Sequence, residues 1–198
     1  MSRSLLPLLG IFAASALISC SSPTKLWQSG DPLDNGWKMA GPGAFVVEGD
    51  NIKATGGMGL LWYAEKDFAD FTLELEWMVE EAEDNAGVFV RFPDPGDDPW
   101  IAVNQGYELQ ICDTTPDKHN TGSIYSFQGP THIPTKPVGE WNHYSITVIG
   151  QEYTLMVNGE LVNTYTGERT ERGYIGLQNH ADIDPVHFRN IRITEHKK

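Results

Sequence analysis

Apolar and polar residues alternate along much of this chain. In residues 71–79, Phe71, Leu73, Leu75, Trp77 and Val79 point one way and Thr72, Glu74, Glu76 and Met78 the other, the period of two expected of a strand with one buried face. Residues 87–92 repeat the pattern, with Val88, Val90 and Phe92 opposed to Phe89 and Arg91. The stretch 106–113 reads Gly-Tyr-Glu-Leu-Gln-Ile-Cys-Asp. Tyr107, Leu109 and Ile111 supply a core face, and Glu108, Gln110 and Cys112 the opposite one. Residues 141–149 alternate again and pair with 152–157 across Gly150-Gln151, and Asn158-Gly159 signals a hairpin into 161–164. Short strands at 44–47, 51–54, 122–125, 174–178 and 186–193 bring the set to about a dozen. Pro130, Pro134 and Pro137 make 128–138 an extended crossing segment that cannot pair continuously.

No stretch carries a helical period, so there is nothing to cover a parallel sheet. The pattern therefore predicts an all-β fold, two antiparallel sheets packed face to face as a jelly-roll sandwich. One sheet of such a fold often curves and leaves a concave face on which a carbohydrate can lie. Outward polar residues on adjacent strands are the place to look for a site.

The first residues follow a different rule. A basic residue, Arg3, precedes an apolar run over 5–17, too short to span a bilayer, which ends in Leu17-Ile18-Ser19-Cys20. This looks like a bacterial lipoprotein signal, residues 1–19, with Cys20 lipidated as the new N-terminus. The expectation is a cell-envelope protein, periplasmic or at the outer membrane, which Ser21 favours in a Gram-negative host. It touches the membrane only through its anchor. Residues 20–36, rich in turn formers, read as a tether and N-terminal arm docked by Trp27 and Trp37, and residues 37–198 as a single jelly-roll domain. Twenty-seven acidic against 14 basic residues give a formal net charge of −13. Nucleic acid and anionic lipid surfaces are poor partners for such a chain.

Candidate chemistry centres on 106–113. Glu108 and Gln110 stand about 6 to 7 Å apart along one strand face, a spacing that suits neighbouring hydroxyls of a sugar. Gly56-Gly57-Met58-Gly59 precedes a strand, not a helix, so it does not read as a phosphate cradle. Asp94, Asp97 and Asp98 match no defined calcium loop and read as a solvated turn.

Several signatures then accumulate in order: Asn85-Ala86-Gly87-Val88-Phe89-Val90-Arg91, Gly106-Tyr107-Glu108-Leu109-Gln110-Ile111, Thr121-Gly122-Ser123-Ile124-Tyr125, Gly139-Glu140-Trp141-Asn142, Gly176-Leu177-Gln178-Asn179-His180, and Phe188-Arg189-Asn190-Ile191-Arg192-Ile193. Together, from about 37 to 193, they resemble the bacterial 3-keto-disaccharide hydrolase family. The resemblance implies a concanavalin A-like jelly roll that cleaves 3-keto-glycosides. A ketone at the third carbon acidifies the hydrogen on the second. Its removal lets the glycosidic oxygen leave by elimination, and hydration completes a net hydrolysis. That route needs a base, a group to polarise the ketone and an acid for the leaving oxygen. It does not need the paired carboxylates of an ordinary glycosidase.

Carried over residue by residue, the resemblance implies Glu108, His180 and Arg91 as catalytic groups, and Glu76, Gln110, Asp113, Gln178 and Tyr125 as substrate-binding ones. Arg91 either stabilises an enolate oxygen or pairs with Glu76 or Glu108. His180 is suited to acid or base work, with Glu108 the alternative base. Asp113 either holds a hydroxyl or caps its turn. A Glu/His set also ligates a divalent metal ion, which would polarise the ketone, though no His-x-His or Glu-x-x-His accompanies it. Where the family often has Asp-His-Gly, this chain has Asn179-His180-Ala181. Two rivals stand beside this reading: a laminarinase-type endo-glucanase, whose middle acid would here be the amide of Gln110, and a non-catalytic carbohydrate-binding lipoprotein using Trp62, Trp100 or Trp141 as stacking platforms.

Overall fold

The computed structural model describes residues 19–20, 22–181 and 185–197; of the signal segment expected over 1–19, residues 1–18 lie outside them. Fourteen strands are present among the described residues: β1 Ser19–Cys20, β2 Thr24–Trp27, β3 Trp37–Ala40, β4 Ala44–Glu48, β5 Asn51–Thr55, β6 Gly59–Tyr63, β7 Phe71–Met78, β8 Ala86–Phe92, β9 Tyr107–Ile111, β10 Asn142–Ile149, β11 Glu152–Val157, β12 Glu160–Thr166, β13 Tyr174–Asn179 and β14 His187–Lys197. A short helix, α1, spans Trp100–Gln105. Its six residues are too few to show a period, so the alternation of the sequence does not reveal it.

The strands form two antiparallel sheets. The larger runs β12-β11-β10-β7-β14-β5-β4, with β1 and β2 also on β14, and the smaller runs β3-β6-β13-β8-β9. This is the all-β sandwich the alternation implies. Its core joins Phe71, Leu73, Leu75 and Trp77 of β7 and Tyr144, Ile146 and Val148 of β10 to Val88, Val90, Leu109, Ile111, Ile175 and Leu177 of the smaller sheet. Each such side chain contributes roughly 1.5–3 kcal/mol by leaving water.

Three local outcomes depart from the sequence pattern. From Thr24 the expected tether is a strand, pairing with β14 through Trp27 and Ile191, because Leu26 and Trp27 bury their side chains. Of residues 122–125 only Ile124 bridges, to Leu109 and to Gln128, and no strand forms there. Gly122 and Ser126 take positive φ there, 88° and 66°, and break the extended run. In β8, Arg91 also takes positive φ, 55°, and is the extra residue of a bulge: Ile175 pairs with Val90 and Tyr174 with Phe92. A bulge inverts the alternation beyond it. Phe92 accordingly joins Phe89 on the outer face, where Leu60, Trp62 and the buried Ala102 of α1 complete a second small core.

Candidate active site

The bulge also decides the fate of Arg91. Its side chain is fully buried, donates to the carbonyls of Gly150 and Ala69, faces Asp70 at 3.4 Å and packs against the ring of Tyr153. This corrects the expectation of an arginine on the polar face of its strand. Arg91 braces β8 to the loops that carry Ala69 and Gly150, and it does not reach the cleft described below.

Glu76 needs a second correction. It sits on the outer face of the larger sheet, where Arg189 donates to it at 2.5 Å and Asn190 at 2.8 Å. It lines a depression with Lys25, Trp27, His143 and Arg192. Partial burial pushes its carboxyl up, but the bonds from Arg189 and Asn190 and the nearby charges of Arg189 and His143 outweigh that, leaving it below the ordinary carboxylate value. It is an ion-pair partner. Asp113 is likewise elsewhere: it is exposed, accepts a 2.6 Å bond from Thr135 Oγ1 and borders a separate hollow near Trp77 and Val138.

The remaining candidates converge. Glu108, Gln110, Tyr125, Gln178 and His180 line one cleft of about 230 Å³, together with Met58, Asn85, Trp100 and Val103. They meet because β13, β8 and β9 are neighbours in that order, and the residues between the core-facing Leu109 and Leu177 point outward. Between the flanking strands lies Gly87, which pairs with Gln110. A Cβ on Gly87 would stand 2.3 Å from Oε1 of Glu108, so the bare glycine is what leaves room for the carboxyl. Sequence reasoning missed Gly87 as a site residue, although a glycine inside a strand is a signal of close approach. Asn85, which accepts a 2.9 Å bond from Gln110 Nε2, and Met58, carried by the glycine-rich turn before β6, were missed as well.

The cleft has a distinct chemistry. Glu108 is buried, and desolvation pushes its carboxyl up to about 8, against the opposing effect of a hydrogen bond from Gln178. Two strand carboxyls thus behave in opposite ways: Glu76, charge-paired, is held below the ordinary carboxylate value, and Glu108, among neutral amides, is pushed above it. The side-chain oxygens of Gln110 and Gln178 are buried without a protein partner. An acceptor left so costs about 1–3 kcal/mol unless something donates to it, and a sugar hydroxyl is such a donor. His180 is exposed at the margin. No group of three or more His, Cys, Asp or Glu able to hold a metal ion occurs among the described residues. Asp94, Asp97 and Asp98 instead accept from the backbone amides of Gly96, Gly41 and Trp100, respectively.

A family model for the 3-keto-alpha-glucoside-1,2-lyase-like domain matches residues 23–194. The chain belongs to this family. The match begins ahead of residue 37 and takes in β2. Among curated proteins none matches. Among solved structures, a candidate glycosyl hydrolase from Parabacteroides distasonis superposes with a TM-score of 0.72 at 21% identity, over 87% of this chain and 98% of its own. The carbohydrate-binding module CBM66 from Bacillus subtilis gives 0.57 at 16% identity, over 79% and 93%. A Bacillus subtilis protein with a galectin-like fold gives 0.64 at 11% identity, over 92% and 100%. These likenesses confirm the lectin-type jelly roll.

The space at Gly87 yields a first prediction for this family member. Gly87→Ala is expected to lower ligand affinity or turnover at least tenfold and to lower the melting temperature as well, because the methyl would stand within 2.3–2.9 Å of Oε1, Cγ and Cδ of the buried Glu108 and force the whole side chain to move. Calorimetric melting beside an activity titration checks it. A fully active variant would show that the carboxyl has no fixed place.

Proposed function

We propose that this domain cleaves 3-keto-glucosides by elimination, with Glu108 as the base and His180 as the acid. The observation that carries the reading is the desolvated Glu108 carboxyl beside two buried, unpartnered amide oxygens, on residues that line one cleft. The amide oxygens of Gln110 and Gln178 take hydroxyl protons and hold the ring over Glu108. In its ionised form Glu108 accepts the proton from the second carbon, and its raised proton affinity makes it a stronger base than an ordinary carboxylate. The electron pair of that C–H bond passes into the enolate. Collapse of the enolate restores the ketone, forms a double bond between the first and second carbons and breaks the bond to the glycosidic oxygen. His180, at the exposed margin, hands that oxygen a proton. Water then adds to the double bond.

With Arg91 buried elsewhere, the Tyr125 hydroxyl is the neutral donor lining the cleft that serves the ketone oxygen. A divalent ion would find Glu108 and His180 as its ligands among the described residues and would supply Lewis-acid polarisation when bound. Membership of the family and the likeness to sugar-binding and hydrolase folds support a carbohydrate ligand.

The test is incubation with a 3-keto-glucoside and with its unoxidised parent, in deuterated water, with and without a chelator. Aglycone release from the keto form alone, with deuterium entering the second carbon, is expected. Release from both forms points to a glucanase-type displacement, and binding without release to a carbohydrate-binding module. Loss on chelation alone assigns the polarising role to a metal.

A further inference from the structure

Gln178, His180 and Met58 reach the cleft from one corner of the sandwich. His180 follows Asn179, the last residue of β13, and Met58 precedes Gly59, the partner of Asn179 across β6. Side chains alternate along β13, so Gln178 and His180 turn outward to the cleft while Asn179 between them turns inward. An amide is out of keeping there. Ile175 and Leu177, which point the same way, are core residues, and Asn179 is fully buried beside them.

Its bonds account for it. Nδ2 of Asn179 donates to the carbonyl of Thr55 at 2.6 Å and to that of Ala44 at 3.3 Å. Ala44 and Thr55 pair at the open end of the β4–β5 hairpin, which belongs to the larger sheet. One amide nitrogen therefore ties a strand end of the smaller sheet to both strands of a hairpin in the larger. The backbone around it is drawn in close. A Cβ on Gly43 would stand 2.1 Å from the Gly57 carbonyl oxygen and 2.9 Å from Asn179 Nδ2, and the Gly43 amide donates to the Met58 carbonyl at 2.8 Å. Oδ1 of Asn179, by contrast, is buried with no protein partner, a loss of about 1–3 kcal/mol. A leucine continuing the row of Ile175 and Leu177 would fill the position without that loss. What the amide supplies is a fixed direction for the strand end, one residue short of His180.

We propose that Asn179 is a positioning residue for the elimination, holding His180 where the glycosidic oxygen leaves. The inference rests on the function proposed above and adds to it a residue that touches neither the substrate nor the reacting atoms. A proton donor must stay within hydrogen-bond reach, about 2.6–3.2 Å, of the oxygen it serves, and a misplacement of about 1 Å is worth on the order of a hundredfold in rate. Gln178 is fixed separately, by its bond to Glu108. Loss of the Asn179 clamp therefore reaches the acid and leaves the base in place.

Dependence on the leaving group tests this. A methyl 3-keto-glucoside expels a poor leaving oxygen that needs a proton, whereas 4-nitrophenolate departs without one. Asn179→Ala removes the clamp, and Asn179→Asp keeps the shape but has no hydrogen to give the two carbonyls. For both, kcat/KM on the methyl glycoside is expected to fall at least tenfold further than on the 4-nitrophenyl glycoside, through kcat, as it does in His180→Ala. Added to His180→Ala, Asn179→Ala is expected to cost nothing more. Equal losses on both substrates, or losses that add, mark a purely structural residue and overturn the proposal. Release of 4-nitrophenol by the unaltered protein reports the elimination itself. Should there be none, or should the variants not fold, backbone NMR order parameters of the unaltered chain still judge Asn179: about 0.85 at Asn179 and His180 supports the clamp, and less than about 0.6 at His180 overturns it.

Discussion

Replacing Glu108 with Gln is expected to lower kcat/KM on a 3-keto-glucoside at least a hundredfold and, above neutral pH, to raise the stability of the fold. The first effect is the removal of a positioned base, ordinarily worth 10²–10⁴-fold. The second follows from the sign of the shift. Below about 4.5 the carboxyl is protonated in both folded and unfolded chains. Between 4.5 and about 8 the unfolded chain ionises while the folded one keeps its proton, so stability falls as pH rises. Beyond about 8 the folded protein carries the whole cost of a buried charge, on the order of 5 kcal/mol. Glutamine has the same shape and nothing to ionise, so the variant escapes that loss. For the native chain, kcat/KM is expected to rise with pH up to about 8, as the base form of Glu108 accumulates. Activity against pH and thermal melting at pH 5 and 8 read both effects. A Gln variant active to within tenfold, or a flat profile from pH 6 to 8, would remove Glu108 from the mechanism.

The second large effect lies outside the cleft. Arg91→Met is expected to destabilise the domain by about 3 kcal/mol, since removing one member of a buried pair leaves the other uncompensated. For a chain of this size that is a fall in Tm on the order of 10 °C. Asp70 would keep the 2.9 Å bond from the Gly150 amide but lose the facing guanidinium, and Asp70→Asn in the same chain is expected to restore part of the loss. Below the transition, turnover per folded molecule should be unchanged. A variant that melts like the native protein but turns over slowly would instead return Arg91 to the catalytic group.

Particular residues show how far the sequence reaches. Glu108 and Gln110 were legible as an outward pair because Tyr107, Leu109 and Ile111 commit the other face of β9 to the core. Gln178 was legible in the same way, once Leu177 is assigned inward. Arg91 was not. The alternation of β8 runs to its end in the sequence, and only the paired strand reveals that one residue there is surplus. Glu76 and Glu108 have similar surroundings in sequence, each outward on a strand with apolar neighbours. Nothing local states that they belong to different sheets. The same holds for the tryptophans: Trp62 packs in one cluster with Ala102 of α1, and the Arg189 guanidinium covers the ring of Trp141 at 3.9 Å, in each case from far away along the chain.

By itself, then, the order of residues determined which positions face inward on each strand, and hence the sandwich, because the pleat of a strand sets side-chain direction locally. The tertiary structure alone decided which outward faces share a surface, where a bulge reverses the alternation, and which of two like carboxyls loses its water. Those outcomes depend on neighbours brought together by strand pairing, and the energy of a charge depends on what surrounds it, not on where it stands in the chain.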